Sequence, residues 1–177
     1  IPAGWAYVLP TESQWEYACR AGTTTAYSWG DSITASNANC LSSGISQTTD
    51  VGQYAPNPWG FFDMHGNVFE WTADRYQAVY PDGNPVVDPT GSASNSYPVR
   101  RGGSWRNGGA LLRSAERNLS APSGRFDFLG FRVGFQFTGT HSVDLNASVQ
   151  LDMLWVEPGT FMMGQVGVAE PIHQVTL

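Results

Sequence analysis

The sequence contains no lysine and is poor in charge of either sign. Its nine basic residues are all arginine; against fifteen acidic residues they leave a formal net charge of −6, and only 14% of the 177 residues are charged, compared with about 25% in an average globular protein. This balance argues against a nucleic-acid partner, whose phosphates require a basic surface. Hydrophobic residues make up 41% of the chain, which excludes an intrinsically disordered protein.

Long apolar runs are absent, and cysteines are few. Because no stretch reaches the roughly 18 apolar residues that a membrane helix needs, we expect no membrane span. The two cysteines, Cys19 and Cys40, are too few for a disulfide framework. They form either one bridge or two buried thiols, and a free cysteine behaves as a small hydrophobic residue.

The arginines are concentrated in one segment. Residues 100–132 hold seven of the nine, against Glu116 and Asp127 only, so this segment carries +5 and the rest of the chain −11. We expect these arginines to pair with acids elsewhere in the fold, to bind loop carbonyls and to stack on aromatic rings. The alternative is a surface that binds anions.

One helix is strongly indicated, over about 11–20. Thr11 and Gln14 form a capping box, in which each side chain satisfies a backbone N–H of the first turn. Trp15, Ala18 and Cys19 then place an apolar stripe on one helix face. Gly22 is a natural terminator beyond the last turn.

The remainder of the sequence predicts short strands and long loops. Residues 30–58 and 77–98 are rich in turn-forming residues and are predicted as loops. Strand character occurs over 99–105, 130–137, 149–156, 159–163 and 174–177. In the second of these, alternation places Phe131, Val133, Phe135 and Phe137 on one face. One helix and many short strands predict an α+β fold that is loop-rich, with small antiparallel sheets.

Several short motifs occur in a fixed order along the first 137 residues. They are Leu9-Pro10-Thr11-Glu12, Trp15-Glu16-Tyr17-Ala18, Tyr27-Ser28-Trp29-Gly30-Asp31, Asn57-Pro58-Trp59-Gly60, 63–71 (DMHGNVFEW), Arg101-Gly102-Gly103-Ser104-Trp105, Arg113-Ser114-Ala115 and Gly130-Phe131-Arg132-Val133. In this order they resemble the formylglycine-generating enzyme family, also called sulfatase-modifying factor domains. The resemblance implies a fold similar to C-type lectins, with extensive loops fixed by calcium.

The end of the chain resembles the opening of the same domain. Residues 153–164 (MLWVEPGTFMMG) and 170–177 (EPIHQVTL) follow the closing strand instead of preceding the first motif. We therefore divide the chain into a family-like domain at 1–137 that lacks its usual N-terminal part, a linker at 138–148, and an N-terminal-type strand segment at 149–177. A fragment of a tandem array, a circular permutation and a truncated reading frame all account for this order. Exchange of 149–177 between two copies would give a swapped homodimer.

The resemblance implies two calcium sites. In the first, the side chains of Asp63 and Glu70 and the carbonyls of Gly66 and Val68 would bind the ion. Calcium prefers such a mixture of carboxylates and carbonyls in a flexible loop, although Asp63 and Glu70 could instead accept loop N–H groups. In the second, the ligands would be Asn39 and the carbonyl of Cys40, but the loop that follows offers no carboxylate before Asp50.

The family's copper-binding cysteines are absent. In the relatives they lie between the Arg-Gly-Gly-Ser and Arg-Ser-Ala motifs; here the first matches Asn107 and the second falls within 109–112, which contains no sulfur. Cu(I) requires soft thiolates, so we expect no copper. The family's pocket tryptophan is replaced by Phe69, while Ser104 is retained. His65, His141 and His173 have no metal-ligand spacing, which argues against non-haem iron.

A loop-built recognition face is the remaining candidate site. It would comprise Ser104, Trp105, Arg106, Asn107 and Phe69, together with Gly108-Gly109 and residues 119–128. Aromatic, arginine and amide groups together favour recognition, although Trp105 could equally belong to the core. The prediction is a non-catalytic, calcium-stabilised binding or structural domain with an unidentified protein, peptide or glycan ligand, in a periplasmic or secreted protein. The alternative is a divergent oxidoreductase of the same family, acting on a protein cysteine or through another metal.

Overall fold

The computed structural model describes residues 1–79, 86–87 and 89–138, and the backbone of four strands between 141 and 176. The fold is α+β, as predicted, with one α-helix and eleven short strands in this part of the chain. The elements are β1 (Trp5–Val8), α1 (Glu12–Arg20), β2 (Phe69–Arg75), β3 (Val86–Val87), β4 (Pro98–Arg101), β5 (Asn118–Leu119), β6 (Leu129–Phe131), β7 (Gly134–Phe137), β8 (His141–Asn146), β9 (Val149–Met153), β10 (Thr160–Met163) and β11 (His173–Thr176). None of the helices in the described ranges is long and apolar enough to cross a membrane.

The predicted helix is confirmed as α1. Its capping box is complete: Gln14 N donates to Thr11 Oγ1 over 3.2 Å, and Thr11 N donates to Gln14 Oε1 over 3.0 Å. The helix ends in a left-handed residue at Ala21 (φ 46°), whose N–H donates to the Tyr17 carbonyl. Gly22, predicted as the terminator, lies one position later. Trp15 and Cys19 are buried against Met64.

The central sheet has the strand order β5-β4-β2-β6. β4 runs antiparallel to both β2 and β5, whereas β6 runs parallel to β2. The sheets were predicted to be antiparallel, which is wrong for the β2–β6 pair. β5 runs in the same direction as β2. The loop at 120–128 then returns the chain to the start of β2, where the Phe69 N–H donates to the Phe128 carbonyl, so β6 runs parallel to β2. α1 lies against β2 and β4.

The strand predicted at 130–137 is divided into two. β6 pairs with β2, but β7 pairs antiparallel with β1 in a separate two-stranded sheet. The chain therefore leaves one sheet and enters another at Arg132-Val133. The aromatic face predicted from the alternation is solvent-exposed, with Phe131, Val133 and Phe135 at 66%, 54% and 46%.

The end of the chain contains two strand pairs. β8 and β9 form an antiparallel hairpin, so the segment predicted as a linker at 138–148 contains a strand. β10 and β11 are antiparallel, and β11 also runs parallel to β3. The C-terminal segment thus pairs with a strand from the 1–137 part of its own chain. Its side chains, and any contacts they make, lie outside the described residues.

The arginine segment neutralises buried acids on α1, as predicted from the charge distribution. Glu12 and Glu16 are buried, and they form ion pairs with Arg20, Arg101 and Arg117. Arg117 reaches both carboxylate oxygens of Glu12, at 2.6 and 2.8 Å. These ion pairs connect α1 to β4 through Arg101 and to the residue before β5 through Arg117. Cys19 and Cys40 are both free and buried, so of the two alternatives the structure has the thiols.

Candidate functional site

The Asp63–Glu70 turn is held by unusual backbone conformations. Asp63, Gly66 and Asn67 all have positive φ, at 56°, 88° and 59°. At Gly66 a side chain would overlap the Asn39 carbonyl, which explains the glycine. The Gly66 N–H donates to the Gly102 carbonyl and the Asn67 N–H to the Asn39 carbonyl, both over 2.8 Å. The turn is therefore fixed against two neighbouring segments.

Three of the four predicted calcium ligands retain free acceptors. Asp63 Oδ2 accepts the Gly52 N–H over 2.6 Å, and within the described residues its other carboxylate oxygen has no donor. The carbonyls of Gly66 and Val68 likewise accept no hydrogen bond from that part of the chain. Hard oxygens of this kind are the ligands that calcium prefers, so these three positions fit the ion.

Glu70, the fourth, is already engaged. Its carboxylate accepts hydrogen bonds from Trp15 Nε1 and from Nε and an Nη of Arg132, each over 2.7 Å. Burial opposes the charge of Arg132, but hydrogen bonds and attraction from Glu70, with a smaller contribution from Asp63, outweigh it and raise the arginine pKa. Glu70 would have to share its remaining lone pairs with an ion. In the described ranges no three His, Cys, Asp or Glu side chains form a metal-binding cluster.

The residues of the second predicted calcium site hold their own loop. Asn39 Nδ2 donates to the Gln47 carbonyl over 2.9 Å and to Asn67 Oδ1 over 3.1 Å, while its Oδ1 accepts from Ser43 Oγ. The Cys40 carbonyl accepts both the N–H and the hydroxyl of Ser43. An ion here would compete with these donors, and the second site stays a prediction.

The segment at the family's copper position is closed by an amide. Ser104 Oγ donates to Asn107 Oδ1 over 2.6 Å, and the Leu41 N–H donates to the Asn107 carbonyl over 2.9 Å. A short 3-10 helix, Gly109–Leu112, follows and buries Leu112. The position thus offers hydrogen-bonding and apolar groups in place of thiolates.

A buried thiol–imidazole contact, which no motif in the sequence predicts, adjoins this segment at the Leu112 carbonyl. Cys19 Sγ lies 3.5 Å from His65 Nε2. Burial raises the pKa of Cys19 to about 12 and lowers that of His65 to about 4, the latter despite a 2.6 Å hydrogen bond from Nδ1 to the Leu112 carbonyl. The Ser28 N–H donates to Nε2 over 3.2 Å. Both groups are therefore neutral at neutral pH, and the pair is a structural contact.

The predicted recognition face is partly exposed. Arg106 lies over the Trp105 ring at 4.5 Å and pairs with Asp127 at the surface. Trp105 is half-buried, and its Nε1 is buried with no acceptor among the described residues. Ser104 and Phe69, by contrast, are 0% and 2% exposed. Both are therefore too deeply buried to present a surface to a ligand.

Two stacked phenylalanines, which belong to a region suggested only broadly by the sequence, extend this face. Phe126 and Phe128 stack at 5.0 Å, and Phe128 also lies beneath Arg106 and beside Arg100. Alternation could not identify them, because both fall in a loop.

Comparison with known proteins finds one matching family model and several similar proteins. Residues 3–136 match the model of the sulfatase-modifying factor enzyme 1-like domain. The chain is 38% identical over 127 residues to the serine/threonine-protein kinase pkn1 of Chlamydia pneumoniae, covering 70% of this chain and 20% of that protein. It is 34% identical over 141 residues to the formylglycine-generating enzyme of Streptomyces coelicolor, covering 70% and 45%.

A solved structure shows the same fold. Treponema denticola variable protein 1 superposes with a TM-score of 0.67 at 34% identity, over 74% of this chain and 48% of that one. The chain thus spans half or less of the length of these proteins.

Proposed function

Because the chain belongs to the sulfatase-modifying factor enzyme 1-like domain family, we propose that it is a non-catalytic, calcium-stabilised binding or structural member of that family. The observation that carries this proposal is the segment 104–112. It contains no sulfur, and its Asn107 is bound to Ser104 at the position of a copper-binding cysteine. Amide and aliphatic groups are poor ligands for Cu(I).

The thiols elsewhere in the chain do not replace the missing pair. Cys19 has a pKa of about 12 because it is buried, and only a thiolate is a good metal ligand or nucleophile. Cys40 is also buried, beside Ser42 Oγ at 3.1 Å. A divergent oxidoreductase remains the second candidate, supported by the similarity to a formylglycine-generating enzyme.

Calcium at the Asp63–Glu70 turn is the second element of the proposal. It is supported by the free oxygens of Asp63, Gly66 and Val68. With two carboxylates, one of them paired with Arg132, the site would resemble the weak calcium sites of extracellular modules. Such a site is occupied where calcium is abundant, which agrees with the proposed periplasmic or secreted location.

The ligand face is the third element. Trp105, Arg106 and Phe126 offer the aromatic and guanidinium groups that dominate binding energy at interfaces. The proposed partner is a protein, a peptide or a glycan. Because Trp105 Nε1 is buried, such a partner could accept its hydrogen bond only if the side chains around Trp105 moved.

We further propose that 149–177 supplies the family's opening strands to its own chain. The pairing of β11 with β3 supports this arrangement over the alternative, in which the segment begins the next repeat of a tandem array. Exchange of the segment between two copies would preserve the β11–β3 pairing in a homodimer. The molecular mass in solution distinguishes this swapped dimer from the monomer.

The test combines metal analysis with thermal unfolding. We expect about one calcium and no stoichiometric copper or iron per chain after dialysis, and a melting temperature that rises with CaCl2 and not with MgCl2. Asp63→Asn should remove the calcium response. Asp127→Asn makes the same charge change at an exposed position and should keep it. Stoichiometric copper or iron would refute the non-catalytic assignment, whereas an equal calcium response in both variants would refute the calcium site alone.

A further inference from the structure

Two of the seven arginines in residues 100–132 have no carboxylate partner in the described part of the chain. They are Arg100, on β4, and Arg125, in the loop before β6. The other five form ion pairs with acids: Arg101, Arg106, Arg113, Arg117 and Arg132. The pairing of buried acids therefore accounts for most of the basic segment but not for these two charges.

Arg100 is held in place by neutral groups. Its Nε and Nη2 both donate to Asn118 Oδ1, over 3.3 and 3.1 Å. Its guanidinium carbon lies 4.2 Å from the centre of the Phe69 ring. The remaining nitrogen, Nη1, has no hydrogen-bond partner among the described residues and is not buried. Arg100 therefore presents a positioned, open donor on one face of the central sheet.

The charge of Arg100 is not neutralised by any described carboxylate. Arg100 is half-buried, and burial lowers its pKa, whereas hydrogen bonds and attraction from Glu70 raise the pKa of Arg132. Removing a cation from water costs free energy unless an opposite charge is near. A bound anion would supply that charge at Arg100.

The Phe128 ring connects Arg100 with Arg106 of the recognition face. The two guanidinium carbons lie 5.8 and 5.2 Å from the centre of this ring, so they are no farther apart than the sum of these distances, about 11 Å. Phe126 stacks on Phe128 at 5.0 Å and is 47% exposed. These four residues therefore form one surface, on which a single ligand can contact both cations and an aromatic ring.

The groups beside Phe126 leave this surface with more donors than acceptors. Arg125 is exposed, and its guanidinium has no partner in the described ranges. Asp127 is paired with Arg106, but the two side chains are 62% and 50% exposed, and an exposed pair of this kind is weak. Arginine donors match the paired oxygens of a carboxylate. The complementary ligand therefore carries negative charge.

We infer that this surface binds an acidic peptide, with one carboxylate paired to Arg100 and a second to Arg106. In an extended peptide, side chains at alternate positions lie on the same side about 7 Å apart, and flexible glutamate side chains can span the two guanidinium groups. A basic or neutral ligand would leave Arg100 unmatched. The hydroxyls of a glycan need acceptors as well as donors, and the Asp127 carboxylate is already paired. The inference rests on the proposed recognition face and adds the chemistry of its ligand.

Isothermal titration calorimetry of the full chain with two peptides tests the inference. The acidic probe, acetyl-ESESF-amide, places two carboxylates and one ring on the same side when extended. The neutral probe, acetyl-QSQSF-amide, has nearly the same shape without the charge. We expect the acidic peptide to bind at least about tenfold more tightly. Because the chain has a net charge of −6, overall attraction between protein and peptide does not produce this preference.

Three variants locate the binding. Arg100→Gln should weaken the acidic peptide about tenfold and leave the neutral peptide unchanged, whereas Arg100→Lys keeps the charge and should retain most of the preference. Arg75→Gln is the matched control: Arg75 is exposed at the far end of β2, and its replacement changes the net charge equally without affecting binding. Asp127→Asn should strengthen the acidic peptide about threefold, because Asp127 competes for Arg106.

Four results would overturn the inference. They are equal affinity of the original chain for the two peptides, equal losses in Arg100→Gln and Arg75→Gln, no peptide binding by a folded chain, and tighter binding of trigalacturonate, an acidic glycan, than of the acidic peptide. Circular dichroism confirms that each variant is folded. The inference and the proposed function fail separately: stoichiometric copper or iron would refute the non-catalytic assignment without changing the peptide affinities.

Discussion

Arg101 is the residue whose removal should destabilise this fold most clearly. Its guanidinium forms ion pairs with Glu12 and Glu16 and donates to the carbonyls of Ser114, Ala115 and Glu116. Arg101 and Glu16 are both 0% exposed. Arg101→Met would fill a similar apolar volume. It would, however, remove one cation from Glu12 and Glu16 and one donor from the three carbonyls.

The expected cost is about 4 kcal/mol, because breaking one side of a buried ion pair typically costs 3–5 kcal/mol. For a domain of this size the same change corresponds to a melting temperature lower by ~10 °C. Urea unfolding monitored by tryptophan fluorescence measures the free energy, and circular dichroism measures the melting temperature.

Arg106→Met is the matched control. Arg106 also forms an ion pair, with Asp127 at 2.8 Å, but the two side chains are 50% and 62% exposed. An exposed pair contributes at most about 1 kcal/mol. If Arg101→Met costs no more than Arg106→Met, the buried network does not hold α1 to the sheet and the reasoning is wrong.

Two further predictions concern the Asp63–Glu70 turn. Burial lowers the pKa of His65 from 6.5 to about 4, so as pH falls the unfolded chain binds a proton at this residue before the folded chain does. The contribution of His65 to the free energy of unfolding is therefore complete above about pH 6.5 and is lost as pH falls to about 4. This loss amounts to about 2 kcal/mol between pH 7 and 5. Urea midpoints at these pH values measure this, and a pH dependence unchanged in His65→Gln would contradict it. Gly66→Ala should cost about 3 kcal/mol in urea unfolding, because its methyl group would overlap the Asn39 carbonyl in addition to the backbone strain. Gly60→Ala has nearly the same φ, 85°, with no atom within 4 Å, and should cost only the strain of about 1 kcal/mol; equal costs would rule out the overlap.

Local chemistry made part of the fold predictable. The capping box of Thr11 and Gln14 predicts α1 because both partners lie within one helical turn. The segregation of the arginines predicted their pairing with distant acids, since buried charges are rarely left alone. The order of the motifs predicted the family, which the match over 3–136 confirms.

The remaining features depend on contacts between distant segments. β1 and β3 have four and two residues, too few for a periodic pattern, and each exists because a remote strand pairs with it. The same dependence divides β6 from β7 at Arg132, where the partner changes from β2 to β1. Burial of Ser104 and Phe69 beneath the recognition face could not be inferred either, because a motif identifies residues but not the depth at which they lie.

The buried charges and the segment 104–112 stabilise the fold through separate contacts. Glu12, Glu16 and Arg101 connect α1 to β4 without involving the segment. The segment itself closes through Ser104 and Asn107, and the Asn107 carbonyl ties it to Leu41. A cysteine at 107 would lack the amide oxygen that accepts from Ser104 over 2.6 Å, and a sulfur is a much weaker acceptor. Under the proposed non-catalytic function, Asn107 therefore contributes a hydrogen bond to the fold at the position where the family resemblance places a copper ligand.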